Sequence, residues 1–268
     1  MRVLRSGTTG PDVELWEHFL AGRGLFSGVI DGRFDPALKS AVMAYQSASG
    51  LNPDGIVGAN TWGAAMLEGL DPTADDSYEE DSANWPPPPS FGPLSPAERE
   101  ATFGRFSFVP DPTPGNPEGI RITDGWYGRY VVNVLIPQLE KVQYAPKGLR
   151  VTFHEKAADQ LISLFKAWED AGLSDKILTW GGSYSARFVR GSRTSLSNHS
   201  FASAFDINVQ WNMLGARPAL KGQEGCVRDL VGIANDHGFF WGGHFKTVSP
   251  STGRPRLDGM HFEVAKIL

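Results

Sequence analysis

The sequence predicts a small all-α three-helix domain followed by an α+β domain with a small antiparallel central sheet and flanking helices. Three observations predict it. An acidic and proline-rich stretch over 71–96 divides the chain. Ahead of that stretch, apolar residues recur at helical spacing and are punctuated by Asp-Gly turns. Behind it, helical spacing alternates with short apolar runs of strand length.

Composition narrows the class further. A chain of 268 residues accommodates one or two domains, and 41% hydrophobic with 21% charged residues excludes a mainly disordered polypeptide. The net charge of −5, from 25 basic and 30 acidic residues, is too acidic for a general nucleic-acid binder. The single cysteine, Cys226, excludes an intramolecular disulfide and any multi-cysteine metal cluster. No run of about 18 apolar residues is present, so no membrane insertion is expected. The opening Met1-Arg2-Val3-Leu4-Arg5-Ser6-Gly7 lacks the apolar core of a signal peptide. The expectation is synthesis in the cytoplasm, with any work outside it following release by another route.

Within residues 1–70, Val13, Trp16, Phe19 and Leu20 share one helix face, and Ala41, Val42 and Tyr45 share a second. Gly50 is placed to end the second helix, and Asn60 or Thr61 to cap a short third one running through Leu67. Asp31-Gly32-Arg33-Phe34 and Asp54-Gly55-Ile56-Val57-Gly58 are turns of one type, each ahead of a helix, and form a weak internal repeat. This unit resembles the three-helix peptidoglycan-binding domain found at the ends of many cell-wall hydrolases. The likeness runs through Leu4, Gly7, Gly10, Val13, both turns, Ala41-Val42, Gln46, Gly50-Leu51 and Thr61-Trp62. Tyr45 departs from it, standing where that family usually has Phe. Nearly all these positions are core or turn positions, so wall binding is implied by the resemblance alone.

The divider holds Asp71, Asp75, Asp76, Glu79, Glu80 and Asp81 with no basic residue as far as Trp85, then Pro86 to Pro89, Pro93 and Pro96. Like charges expand the first part and prolines stiffen the second, so a linker with few contacts between domains is expected. After it, Leu161, Leu164, Phe165 and Trp168 place a helix within roughly 155–171, closed by Gly172. Val227, Leu230, Val231 and Ala234 mark another, closed by Gly238. Strands are expected at Ile177 to Trp180, Phe205 to Val209 and His261 to Val264, with polar residues at alternate positions.

Chemistry concentrates in two segments. In Ser197-Asn198-His199-Ser200-Phe201-Ala202-Ser203-Ala204-Phe205-Asp206, a histidine and an aspartate seven apart suit a loop leading into a strand. In Asp258-Gly259-Met260-His261-Phe262-Glu263, read as a strand, the spacing of three lets a carboxylate face a metal held by the imidazole. Two imidazoles and one carboxylate suit zinc, with the fourth tetrahedral position left for water.

Together the two segments resemble the zinc D-Ala-D-Ala carboxypeptidase superfamily, nearest its L-alanyl-D-glutamate endopeptidase branch, which also supplies phage endolysins. The supporting runs are Gly181-Gly182-Ser183-Tyr184, Arg187 to Ser192 and Trp241-Gly242-Gly243. The resemblance implies a zinc peptidase domain over 97–268 in which His199, Asp206 and His261 hold one Zn2+. It makes Asp258 the catalytic carboxylate and puts an arginine beside the oxyanion. Arg187 is the candidate for that role, and Arg190 and Arg193 are its rivals. Two departures are Ala202, where glycine is commoner, and His244, where relatives often carry Asp.

The implied whole is a monomeric, modular peptidoglycan hydrolase that acts on the wall after release. A D-Ala-D-Ala carboxypeptidase and a non-catalytic wall-binding protein with a structural zinc domain are its alternatives. Other residues carry lesser expectations. His154 and His237 suit helix ends, His244 a second proton carrier, and Glu263 either a partner for a ligand imidazole or a place in strand pairing. Cys226 suits a buried helix position, and Trp126, Tyr127 and Trp211 either core or groove.

Overall fold

In the computed structural model, which describes residues 2–68, 70, 85–113, 116–215, 217–247 and 256–268, the first unit is built on helices α1 (Pro11–Gly22), α2 (Pro36–Ala48) and α3 (Ala59–Leu67). Trp16 sits at its centre, its ring 5.2 to 5.6 Å from those of Phe19, Tyr45 and Trp62. The two repeated turns are each held from below by a buried helix side chain. Glu17 accepts from the Asp31 and Gly32 amides, and Gln46 accepts from Gly55 N while donating to Asp54 and Ile56. Gly50 follows α2 with φ 68°, as its expected role requires. The cap expected of α3 is displaced: Gly58 occupies that position, and Thr61, already inside the helix, bonds back to the Ile56 carbonyl.

The second unit contains α4 (Pro96–Phe103), α5 (Trp126–Tyr130), α6 (Ala158–Asp170) and α7 (Arg228–Asp236). Two hairpin pairs, β1 (Phe108–Pro110) with β2 (Ile120–Ile122) and β3 (Val131–Leu135) with β4 (Arg150–His154), flank an antiparallel central sheet. That sheet comprises β5 (Trp180–Gly182), β6 (Ala204–Ile207), β7 (Phe239–Trp241) and β8 (His261–Val264), in the order β5-β6-β8-β7. The predicted fold class is therefore the observed one, with shifts at some strand ends. Leu178 and Thr179 lie outside β5, where Asn208 Oδ1 takes both their amides. β6 ends at Ile207 because Asn208 turns into the left-handed region at φ 52°.

The sheet has two unlike faces, as strand alternation dictates. On one, Trp180, Phe205 and Phe262 stack nearly parallel, with centroids 5.8 and 5.5 Å apart, and α6 covers them through Phe165 and Trp168. On the other stand Asp206, His261 and Glu263, in the register Asp206↔His261 and Ala204↔Glu263. An aromatic core thus fixes the plane from which three polar side chains project.

The expected linker divides at Trp85. Residues 71–84 lie outside the described residues. From Trp85 onward the chain is packed on the second unit: Trp85 lies 5.4 Å from Trp241 with the Arg228 guanidinium 4.7 Å over its ring, and Leu94 packs against the core. The carbonyl of Pro86 meets His244 Nε2 at 2.7 Å, and that of Pro87 accepts from Asn235. Proline carbonyls are strong acceptors with no amide to satisfy, so a proline run docks through them. The boundary expected at residue 96 falls inside this docked segment. The expectation of few contacts between the units also fails, since Asn60 of α3 meets Arg190 and Gly191 packs on Met66.

Candidate metal centre

His199 is set by a single 3-10 turn, Asn198–Phe201, whose start Ser197 caps by accepting from the His199 amide. The turn is closed by Ala202 at φ 49°, a left-handed conformation that accounts for the commoner glycine at this position. Asp206 and His261 face one another across β6 and β8. The His199 Nε2, Asp206 Oδ1 and His261 Nδ1 atoms form a triangle with sides of 3.0 to 3.2 Å. All three residues are buried.

This donor set fits zinc. A tetrahedral ion with bonds of about 2.0–2.1 Å separates its donors by roughly 3.3 Å, close to the observed triangle. The remaining ring nitrogens are both occupied: His199 Nδ1 meets the Ser183 carbonyl at 2.9 Å, and His261 Nε2 meets Glu263 at 3.0 Å. Those partners fix the tautomers that leave Nε2 of one ring and Nδ1 of the other free for an ion. The electrostatics also ask for positive charge. Burial pulls His261 down, yet its hydrogen bonds to Asp206 and Glu263 outweigh that and raise it to about 10. Burial works the other way on Asp206, but the two imidazoles hold it well below the usual carboxylate range.

Asp258 is not in the strand, as was expected, but in the turn that leads into β8, where its carbonyl accepts from His261 N at 3.1 Å. Its own amide donates to the Gly242 carbonyl at 3.0 Å. Burial pushes the Asp258 carboxyl up to about 7, with His261 and Arg187 pulling down and Asp206 pushing up. Its Oδ1 is buried with no hydrogen-bond partner among the described residues. An orphaned carboxylate oxygen beside a cation site is the arrangement that receives a water proton.

The three arginines separate clearly. Arg187 lines the cleft, and its backbone is clamped to Ser200, next to His199, through both N–H and C=O. Burial and Arg190 draw its guanidinium down, while Asp206, Glu118 and Asp258 attract it. Arg190 also lines the cleft but is paired with the buried Glu118, and Arg193 is exposed. A cleft of about 490 Å³ brings His199, Asp206, His261, Asp258, Arg187 and Tyr184 to one surface. Ala59 and Trp62 of α3, with Pro93 and Leu94, complete its wall.

The remaining candidates fall outside this group. His154 is fully buried, with Nε2 3.0 Å from the Phe103 carbonyl and Nδ1 accepting from Lys156 at a helix start. His237 ends α7, His244 faces Pro86, and buried Cys226 precedes α7 rather than lying in it. Trp126 is core and Trp211 covers Gly225, whereas exposed Tyr127 lies 4.9 Å from cleft-lining Tyr184. Glu263 takes the role of imidazole partner. The Ser183 carbonyl was missed by sequence reasoning, because a backbone acceptor leaves no trace in residue type.

Residues 9–65 match a family model described as a peptidoglycan binding domain, and residues 190–264 match one described as D-alanyl-D-alanine carboxypeptidase. Among solved structures, a Burkholderia AP3 phage endolysin shares 36% identity over 27% of this chain and 28% of its own, with a TM-score of 0.24. The aligned part thus spans under a third of that endolysin. No curated protein matches the chain. The second match spans all three candidate ligands and Asp258. Two separate segments of one chain, on either side of the proline run, are thus similar to a peptidoglycan-binding family model and to a D-alanyl-D-alanine carboxypeptidase family model.

Proposed function

We propose that the protein is a peptidoglycan hydrolase that cuts the stem peptide as an L-alanyl-D-glutamate endopeptidase, with one zinc held by His199, Asp206 and His261. The observation that carries this reading is the triangle of ligand atoms on the floor of a cleft that Asp258 and Arg187 also line. Bound zinc would bring the pKa of a water down toward about 7 and polarise the scissile carbonyl. Asp258 lines the same cleft with its buried Oδ1 unpartnered, and would accept a proton from that water and return it to the departing amine. Arg187 presents a half-buried positive charge to the carbonyl oxygen as it becomes an oxyanion. The first 70 residues hold the wall and keep the peptidase concentrated beside it.

Endopeptidase action follows the motif resemblance. The description of the matched family favours removal of the terminal D-alanine, and the same residues would serve either reaction. Mass spectrometry of digested peptidoglycan separates the two. New peptides with a free N-terminal D-glutamate are expected; free D-alanine without them would establish the carboxypeptidase. The purified chain should bind one zinc, lost in both His199→Ala and His261→Ala. Full zinc content in either variant would reject the ligand assignment.

A further inference from the structure

The His261 imidazole is held by more than Glu263. Glu263 is buried, and so is its ion-pairing need: no lysine or arginine lies in β6 or β8 to balance it. Its Oε2 accepts from two donors, His261 Nε2 and Asn198 Nδ2. Asn198 is adjacent in sequence to His199, and its Oδ1 accepts from Nη1 of Arg99. The chemistry leaves the amide one orientation, because reversing it would turn NH2 toward a guanidinium and oxygen toward a carboxylate. Arg99 comes from α4, about a hundred residues before His199. It is 8% exposed, its guanidinium lies 5.0 Å over the Phe201 ring, and it feels the charge of Glu263.

The start of α4 is itself fixed. Ser95 accepts from the Glu98 amide, and Glu98 accepts from the Ser95 amide in return. Leu94, just before the cap, packs into the core. The docked end of the proline segment therefore sets where Arg99 stands.

The geometry points to Arg99, Asn198 and Glu263 as a positioning relay for the zinc site, running from α4 to the His261 imidazole. Arg99 offsets the buried charge of Glu263, and Asn198 locks the carboxylate in place. Glu263 then holds Nε2–H of His261 so that Nδ1 faces the ion, and raises the basicity of that ligand. Asn198 and Glu263 border the cleft, but their side chains are engaged with each other, with Arg99 and with His261. Partners of this kind typically change metal affinity by about 10–100-fold.

This inference rests on reading His199, Asp206 and His261 as a zinc site, and it is tested on the full chain without an activity assay. Zinc affinity is measured by competition with a chromophoric chelator, alongside the melting temperature of the metal-free protein. Glu263→Gln, which keeps the shape, and Arg99→Ala should each weaken zinc binding by about 10–100-fold, with Arg99→Lys recovering part of the loss. In the Glu263→Gln background, Arg99→Ala should add far less than it costs alone, because both act through one contact. The visible spectrum of the cobalt-substituted protein should shift in Glu263→Gln as the ligand imidazole loosens. Should Arg99→Ala fail to fold, Glu263→Gln and the cobalt spectrum carry the test. Unchanged affinity and spectrum in a folded Glu263→Gln would overturn the relay, as would full additivity of the two substitutions. A wild-type chain with no zinc affinity would overturn the site reading and the relay together.

Discussion

Gly242 and Asp258 form one unit. A Cβ at position 242 would lie 2.4 Å from the Asp258 carbonyl oxygen and 3.0 Å from the Asp258 Cβ, closer than real Cβ atoms pack against backbone. That approach, with the bond from Asp258 N to the Gly242 carbonyl, sets where the orphaned Oδ1 points. Two substitutions separate the carboxylate's chemistry from its placement. Asp258→Asn keeps the shape and removes the proton acceptor, so kcat should fall by roughly two to four orders of magnitude with zinc retained. Gly242→Ala keeps the carboxylate and displaces it, and a shift near 1 Å should cost about 10²-fold. Zinc content, melting temperature and kcat on the same preparations decide the matter. A stable, fully metallated Asp258→Asn protein with near-normal kcat would reject its role as general base.

At the scale of elements, the central sheet works because its two faces are chemically opposed. His261, Phe262, Glu263 and Val264 alternate, and that alternation is legible in the sequence, as were α6, α7 and the glycines that end them. That His199, Asp206 and His261 come together was suggested only by the family likeness, since their spacing does not dictate that three atoms meet. What sequence could not give was contact made at long range through backbone atoms or short polar side chains. Ser183 serves through a carbonyl, and Asn208 ends one strand while holding the amides ahead of another. The proline segment was misread for the same reason, because its composition suits a spacer while its carbonyls find His244 and Asn235. A fragment beginning at Pro96 loses Trp85, Leu94 and the Ser95 cap, a cap alone being worth about 1 kcal/mol. A fragment beginning at Trp85 keeps them. The longer fragment should melt several degrees higher in a thermal scan. Equal melting temperatures would return the segment to the status of a spacer.

At the scale of the molecule, the two units meet rather than hang apart. Gly63 of α3 faces the buried Glu118 and its partner Arg190, where a Cβ would come within 2.6 Å of Glu118 Oε1, and Ala59 and Trp62 close one wall of the cleft. On the proposed function, the bundle would affect hydrolysis in two ways, by anchoring the protein to the wall and by shaping the cleft. The fragment starting at Trp85, which lacks the bundle, is assayed on soluble muropeptides and on intact sacculi to separate them. Anchoring acts only where substrate is an insoluble polymer, through the local concentration that tethering supplies. Shaping acts on both substrates equally. The expected outcome is a much larger loss on sacculi than on muropeptides, with binding to sacculi lost in a sedimentation assay. Equal losses on the two substrates would assign the bundle to the cleft instead. No loss on sacculi would mean that the first 70 residues, despite their family match, do not anchor this enzyme.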